Sequence, residues 1–217
     1  MTTVVIPLHD RFTALDVVGP YQMLAFTPGV RVLLAAEEPG LVTDDIGSLS
    51  LPAVGLDEVD RPDIVVVPGG PGTLAALDGG LPQWLAHVHR TTRWTTSVCS
   101  GSIILGAAGL LQGLKAATHY RHVDKLPFFG AEPTAERVVE QAEARIITAA
   151  GVSSGIDMAL RLVELVADRE IAEAVQLWTE YDPQPPFDSG SPQKATIAVQ
   201  DLAAAYETAH MEAVPHR

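Results

Sequence analysis

The sequence has a single cysteine, Cys99, and this scarcity excludes several classes of protein. One thiol cannot form an intramolecular disulfide framework, nor a zinc site built from several cysteines. No apolar run approaches the ~18–20 residues that a membrane-spanning helix requires. Residues 1–6 have no basic stretch ahead of their apolar part, so we predict no signal peptide and a cytoplasmic location.

Basic residues are also scarce. Lys and Arg number 14 against 27 Asp and Glu, which gives a formal net charge of −13 with histidine neutral. A negative surface repels phosphate groups, so we expect neither nucleic acids nor anionic membranes as partners. Apolar residues make up 47% of the chain and charged residues 19%, which is typical of a folded protein with a substantial core.

Short apolar runs alternate with stretches in which apolar residues recur at helical spacing, and these predict strands and helices respectively. The predicted strands are residues 4–8, 30–36, 63–68, 94–98, 136–140 and 144–149, and the predicted helices are residues 13–26, 81–92, 103–111, 155–167, 170–181 and 195–211. Residues 41–55 are expected to form small strands or a loop outside the main sheet. The alternation predicts a single α/β domain over residues 1–217, with a mostly parallel sheet and a C-terminal helical extension.

Cys99 lies where a predicted strand runs directly into a predicted helix, within the Ser-Val-Cys-Ser-Gly-Ser of residues 97–102. This arrangement is typical of a nucleophile elbow, in which small neighbours let the backbone turn sharply and lift the side chain out. A helix N-terminus favours the thiolate, so we expect a lowered thiol pKa. The alternative is a buried and unreactive cysteine, which is the common state of a free thiol.

The second unusual turn is the Pro-Gly-Gly-Pro-Gly of residues 68–72, which follows a buried strand. Consecutive glycines let backbone N–H groups face a ligand without obstruction by side chains. We predict that the N–H groups of Gly70 and Ser100 form an oxyanion hole. The turn matches neither a dinucleotide fingerprint nor a phosphate-binding loop, and we expect no metal or organic cofactor. The alternative is a tight turn without a binding role.

Asp16 lies just beyond the first strand among apolar neighbours. An apolar environment raises the pKa of a carboxyl group, which suits a proton donor or acceptor. Equally, Thr13 and Asp16 have the spacing of a capping box, in which Asp16 would only cap a helix. His119 lies near the end of a short apolar stretch and is a candidate for the pocket, although a lone histidine is more often structural.

Taken together, these segments resemble the ThiJ/PfpI superfamily, flavodoxin-like proteins related to class I glutamine amidotransferase domains, and within it the isonitrile hydratase group. The glycine turn and the cysteine corner are typical of the whole superfamily. The Asp-Val-Val-Gly-Pro of residues 16–20 narrows the resemblance, because other branches have a glutamate in this region. The most specific stretch is the Tyr-Asp-Pro-Gln-Pro-Pro-Phe of residues 181–187. Further matching stretches are residues 105–111, 117–120 and 148–157.

The resemblance implies a three-layer flavodoxin-like sandwich and hydration of a small-molecule isonitrile to an N-substituted formamide, without a cofactor. It implies that Cys99 is the nucleophile, that Asp16 moves the proton, and that Ser100 supports them with its hydroxyl. Ser100 departs from the pattern, because the group usually has threonine at this position. Further candidates for the pocket are His119, Gly69, Gly151 and Val152.

The resemblance also implies a homodimer, and we place its interface at the proline-rich residues 182–192 or beside Gly19 and Pro20. Two other functions stay open on the sequence. Other branches of the superfamily suggest glyoxalase-type hydration of 2-oxoaldehydes. The second is a non-catalytic redox sensor in which a low-pKa Cys99 is oxidised.

Overall fold

The computed structural model describes residues 1–213, and it describes side chains through Ala209. The chain divides into two compact units, the first Met1–Thr179 and the second beginning at Glu180. None of the helices in the described part of the chain is both long and apolar enough to cross a membrane. The single domain with a helical extension stays a prediction.

Ten strands form two sheets in the first unit. They are β1 (Thr2–Pro7), β2 (Val30–Ala36), β3 (Gly40–Thr43), β4 (Ser50–Gly55), β5 (Ile64–Val67), β6 (Trp94–Val98), β7 (Lys115–Ala116), β8 (Glu132–Pro133), β9 (Val138–Gln141) and β10 (Ile146–Ala149). Eight of them form the central sheet, in the order β3-β4-β2-β1-β5-β6-β10-β9, while β7 and β8 pair separately. All neighbours in the central sheet are parallel except the two outer pairs, β3 with β4 and β9 with β10.

The expectation that residues 41–55 lie outside the main sheet is wrong. β4 pairs in parallel with β2 through Ala35–Val54 and Ala36–Gly55, and β3 completes an antiparallel hairpin with β4. Residues of β4 alternate between exposed and partly buried, as expected where one face of an edge hairpin meets solvent. Only two residue pairs join this hairpin to β2, which is too short a match to be read from the sequence.

Helices cover both faces of the sheet, which confirms the three-layer α/β sandwich. They are α1 (Ala14–Ala25), α2 (Leu81–Val88), α3 (Gly101–Ala107), α4 (Ser154–Val166) and α5 (Arg169–Trp178), all in the first unit. The second unit contains α6 (Ile197–Ala213). Helices α1, α4 and α5 contribute to one hydrophobic core, while α2 and α3 contribute to the other. Every predicted helix is present, with ends that differ by a few residues.

Successive residues of the central strands supply the two cores. Val4 and Val5 are both fully buried, yet Val4 packs in the core that contains Leu24 of α1, and Val5 packs in the core that contains Ile104 of α3. Neighbouring side chains of a strand point to opposite faces, so a strand covered on both faces must be apolar throughout. The all-buried β5 follows the same rule.

The carboxyl ends of the central parallel strands meet at one edge of the sheet, where ligands bind in open α/β folds. The segments that follow β1, β5, β6 and β10 contact one another there. The Thr13 N–H donates to the Gly69 carbonyl at 2.9 Å, and the Cys99 N–H donates to the Ala149 carbonyl at 3.1 Å. This edge therefore brings together the cysteine corner, the glycine turn and the start of α1.

The second unit begins with an irregular, proline-rich segment and continues into α6. Residues 181–192 form neither helix nor strand, and the predicted helix of residues 170–181 ends at Trp178, before this segment. Phe187 is 79% exposed, and the Lys194 ammonium group pairs with the Asp188 carboxylate at 2.5 Å.

Candidate active site

Cys99 occupies a strained turn between β6 and α3. Its φ is +58°, a left-handed conformation that non-glycine residues rarely adopt. Its N–H donates to the Ala149 and Ala150 carbonyls at 3.1 and 2.9 Å, and its own carbonyl accepts the Thr118 hydroxyl at 3.0 Å. A Cβ at Gly101 would lie 2.2 Å from the Val67 carbonyl, so only glycine permits this close turn. The nucleophile elbow expected from the sequence is therefore confirmed as geometry.

Asp16 is fully buried in the first turn of α1 and points at the cysteine corner. Its Oδ2 accepts the Gly69 N–H at 2.9 Å, while no group in residues 1–213 forms a hydrogen bond of good geometry with Oδ1. Thr13 is the residue that precedes α1, but its hydroxyl donates to Asp45 at 3.1 Å and does not cap the helix. The capping-box interpretation is therefore wrong, because both of its side chains have other partners.

Burial sets the electrostatics of the Asp16 carboxyl group. It raises the pKa of Asp16 to about 7, although the Gly69 N–H and the neighbouring Cys99 thiol both act to lower it. A carboxyl group with a pKa near neutrality exchanges a proton readily at physiological pH. The sequence-based expectation of a raised pKa is therefore confirmed in direction.

The expectation of a lowered thiol pKa is wrong. Burial raises the pKa of the Cys99 thiol, and the nearby charge of Asp16 raises it further. The N–H groups of Val152 and Ser100 and the Ser100 hydroxyl act in the opposite direction and do not outweigh burial. Cys99 is only 6% exposed, and the partial positive charge at the N-terminus of α3 does not compensate for the desolvation of the thiolate. Asp16 and Cys99 thus hold at most one negative charge between them near neutral pH.

The Ser100 hydroxyl lies at the centre of a small hydrogen-bond network. It accepts the Gly70 N–H at 3.0 Å and lies 2.9 Å from the Thr73 hydroxyl. The Gly70 N–H is thus engaged by Ser100 and is not free for the oxyanion hole that the sequence suggests, whereas the Ser100 N–H does face the sulfur. A Cβ at Gly69 would lie 2.4 Å from Ser100 Oγ, so glycine is required where the two turns meet.

Gly151 and Val152 follow β10 and lie beside Cys99. Val152 has a φ of +36°, which is unusual for a β-branched residue, and its N–H is directed at the Cys99 sulfur. A Cβ at Gly151 would lie 2.6 Å from Cδ2 of His119, so the half-buried His119 ring packs directly on this backbone. The structure therefore brings His119 to the site through Gly151.

Thr73 is the one member of this network that sequence reasoning missed. It is 3% exposed and lies three residues beyond Gly70, at the end of a short helical turn, Pro71–Thr73. No periodicity or motif marks it, and its only signal is its place after a strand that ends at the candidate site. Within the described residues, no group of three or more His, Cys, Asp or Glu side chains is arranged to hold a metal ion.

The chain is similar to several known proteins. The model of the DJ-1/PfpI family matches residues 2–165. Isonitrile hydratase of Pseudomonas putida is 41% identical over 197 residues, which cover 90% of this chain and 86% of that protein. Glutathione-independent glyoxalase DJR-1.2 of Caenorhabditis elegans is 27% identical over 145 residues, 65% of this chain and 76% of that protein.

A solved structure extends the likeness to nearly the whole fold. The crystal structure of a ThiJ/PfpI family protein from Pseudomonas syringae superposes with a TM-score of 0.90 at 36% identity, and the match covers 97% of this chain and 88% of that one. The family match spans most of the chain, including the glycine turn and the cysteine corner. The chain therefore belongs to the DJ-1/PfpI family.

Proposed function

We propose that this protein is an isonitrile hydratase, which adds water to an isonitrile and yields the N-substituted formamide. The observation that carries this proposal is the buried Asp16 carboxyl group, which faces the Cys99 thiol and whose Oδ1 has no hydrogen-bond partner among the described residues. The 41% identity to isonitrile hydratase of Pseudomonas putida supports the substrate class. The reaction is an addition of water and belongs to the hydro-lyase type.

The terminal carbon of an isonitrile accepts a nucleophile only when that same carbon is protonated as the bond forms. Asp16 takes the thiol proton as the Cys99 sulfur attacks this carbon, and it then delivers the proton to the carbon. The product of this step is a thioimidate in which the former isonitrile carbon carries one hydrogen and the sulfur. Burial raises the pKa of the thiol above that of Asp16, so the sulfur keeps its proton until the carbon–sulfur bond forms, and ionised Asp16 takes the proton as that bond forms.

Water completes the reaction. Asp16 takes a proton from water as the oxygen adds to the thioimidate carbon, and the substrate nitrogen receives that proton. The carbon–sulfur bond then breaks, the carbonyl forms, and the proton of the added hydroxyl returns to the thiol. The net change is one isonitrile and one water converted to one formamide, with Cys99 and Asp16 restored.

Backbone groups hold the two reacting side chains in place. The Gly69 N–H fixes Oδ2 of Asp16, and Oδ1 has no hydrogen-bond partner among the described residues, so it is available to take a proton. The N–H groups of Val152 and Ser100 face the sulfur and stabilise negative charge that develops on it. These donors belong to the backbone and need no reorganisation when the thiol loses its proton.

A paired assay separates isonitrile hydration from glyoxalase-type hydration. Purified protein is given an aryl isonitrile and, separately, methylglyoxal, and the formamide and lactate are measured. We expect formamide only. Lactate without formamide would support glyoxalase-type hydration. The redox-sensor alternative requires an accessible, low-pKa thiol, whereas Cys99 is buried and its pKa is raised.

The pH dependence of the reaction tests the state of Asp16. The carboxyl group must be ionised to take the thiol proton, and burial raises its pKa to about 7. We therefore expect kcat/KM to fall by about tenfold per pH unit below pH 7, because the ionised fraction of Asp16 falls by that factor. Initial rates with an aryl isonitrile between pH 5 and 9, corrected for hydrolysis without enzyme, measure this. A profile that stays flat down to pH 5 would contradict the assignment.

The cytoplasmic location stays a prediction.

We also propose that the protein is a homodimer. The outer face of α1 supports the dimer, because it exposes Leu15, Val18 and Tyr21 by 39%, 37% and 42% beside the buried Gly19 and Pro20. Exposed apolar side chains in one row are typical of an interface. Sedimentation equilibrium at micromolar concentration should give about twice the 23.0 kDa of one chain. A mass equal to one chain would contradict the dimer.

A further inference from the structure

The hydroxyl groups of Thr73 and Ser100 are buried beside the cysteine corner and lie within hydrogen-bond distance of each other. Thr73 Oγ1 lies 2.9 Å from Ser100 Oγ, and the Ser100 side chain, next to Cys99 in the chain, acts to lower the pKa of the thiol. Ser100 Oγ also accepts the Gly70 N–H at 3.0 Å. Thr73 and Ser100 are 3% and 2% exposed, so solvent does not compete for these hydroxyls.

The number of protons that the two hydroxyls can donate determines which of them is the donor in this hydrogen bond. Each hydroxyl has one proton to donate. If Ser100 donated to Thr73, the Thr73 proton would have no acceptor among the described residues, and the sulfur would lose the Ser100 proton. If Thr73 donates to Ser100, the Ser100 proton goes to the sulfur and both protons are used. A buried donor without an acceptor costs free energy, so the second direction is favoured.

We propose that Thr73 is a positioning residue that fixes the Ser100 proton on the Cys99 sulfur. Thr73 acts only through Ser100. The bond from Ser100 becomes charge-assisted once the thiol loses its proton, so its direction matters most in the reactive state. The inference rests on the proposed function only in taking Cys99 as the nucleophile, and it is independent of the substrate.

Serine at position 100 makes this role of Thr73 necessary. A β-branched threonine is stiff about χ1, whereas a serine side chain has no second branch to hold its rotamer. The Gly70 N–H and the Thr73 hydroxyl supply that restraint from outside, at 3.0 and 2.9 Å from Ser100 Oγ. The hydroxyl of Ser100 therefore keeps its orientation through its neighbours.

The experiment must separate this effect from the charges around the thiol. The titratable groups packed around the site are Asp16 of α1, Asp45 beside Asp16, His9 on the Pro68 carbonyl after β1, and His119 against Gly151. Thr73 carries no charge at any pH. Substitution of Thr73 by valine keeps the shape of the side chain and leaves all of these titratable groups in place. It replaces only the hydroxyl, by a methyl group.

The test is the rate of Cys99 alkylation by iodoacetamide between pH 6 and 10. Cys99 is the only cysteine, so the reagent reports on one thiol, and it needs no isonitrile. We expect Thr73→Val to slow alkylation about tenfold at each pH below the thiol pKa, because the pKa of the Cys99 thiol should rise by about 1. Ser100→Ala should slow it by a similar factor, and the double variant should be no slower than Ser100→Ala. Thr73→Ser should restore most of the rate.

Ser97→Ala is the matched control, because Ser97 has a buried hydroxyl on β6, the strand that leads into Cys99, and this hydroxyl has no hydrogen-bond partner among the described residues. Its alkylation profile should equal that of the unmodified protein. The proposal is overturned if Thr73→Val has the unmodified profile, if Thr73→Ser is as slow as Thr73→Val, or if the two single effects multiply in the double variant. If Thr73→Val does not fold, Thr73→Ala replaces it with the same expectations. Should alkylation behave as expected while no isonitrile is hydrated, only the proposed function fails.

Discussion

Replacement of Cys99 by alanine is expected to reduce isonitrile hydration to the rate without enzyme. The proposed reaction passes through a bond between the isonitrile carbon and sulfur, and no other thiol exists in the chain to form it. The side chain is small and lies at a turn, so the change in unfolding free energy should be about 1 kcal/mol or less. Formamide formation and thermal unfolding are measured on the same preparation.

Ser97→Ala is again the control for the Cys99 variant. Ser97 lies two residues earlier on β6 and is equally buried, but its hydroxyl has no hydrogen-bond partner in residues 1–213. This variant should keep full activity, which would show that a small deletion beside the elbow is tolerated. Hydration by Cys99→Ala above the background rate would eliminate the covalent mechanism.

Asp16→Asn is expected to lower turnover by about 10²–10⁴-fold, the usual contribution of a general acid–base group. Asparagine keeps the size of the side chain and an oxygen for the Gly69 N–H, but it cannot take the thiol proton. The loss should appear in kcat, because the step that fails is proton transfer and not substrate binding.

The stability of Asp16→Asn should change in a direction that a helix cap would not produce. The pKa of Asp16 is about 7 in the folded protein and about 3.9 in an unfolded chain. Folded protein therefore holds a proton between these values that the unfolded chain has lost, so stability falls as the pH rises from about 4 to about 7. Above pH 7 the ionised, buried Asp16 lowers the free energy of unfolding by about 4 kcal/mol, and a neutral asparagine removes this penalty.

We therefore expect Asp16→Asn to melt at a higher temperature than the unmodified protein at pH 8, with a difference that shrinks toward pH 5. Asp44 provides the matched control, because it is 4% exposed and its Oδ1 accepts the N–H groups of Gly47, Ser48 and Leu49 at 2.9–3.1 Å. Asp44→Asn should lose stability at both pH values and keep its activity per folded molecule. Near-normal turnover by Asp16→Asn would reject its role as the proton shuttle.

The parts of the fold that depend on local pattern are predictable from the sequence. β2 and β6 have the predicted bounds, because an apolar run flanked by turn residues is a local signal. The elbow is predictable for the same reason, since the strand, Cys99 and the small residues after it are adjacent in the chain. Asp16 is identified as a candidate by its apolar neighbours, which are also local.

Features that arise from distant contacts are not predictable in this way. The Thr13 hydroxyl bonds Asp45, 32 residues away, so the local capping pattern is not used. The direction of the Cys99 pKa depends on how completely the folded chain excludes water, which no local motif encodes. Thr73 meets Ser100 across 27 residues, because the turns after β5 and β6 lie side by side.

The central claim is that Cys99 and Asp16 hydrate the isonitrile carbon together, and turnover of an aryl isonitrile in deuterated water tests it most directly. The proton that reaches this carbon comes from the thiol through Asp16, and both groups exchange with solvent before the reaction. Proton and carbon magnetic resonance of the product should identify an N-aryl formamide with deuterium on the formyl carbon, formed rapidly by the unmodified protein and only at the rate without enzyme by Cys99→Ala. No formamide from the unmodified protein, or hydrogen in place of deuterium on that carbon, would contradict the account.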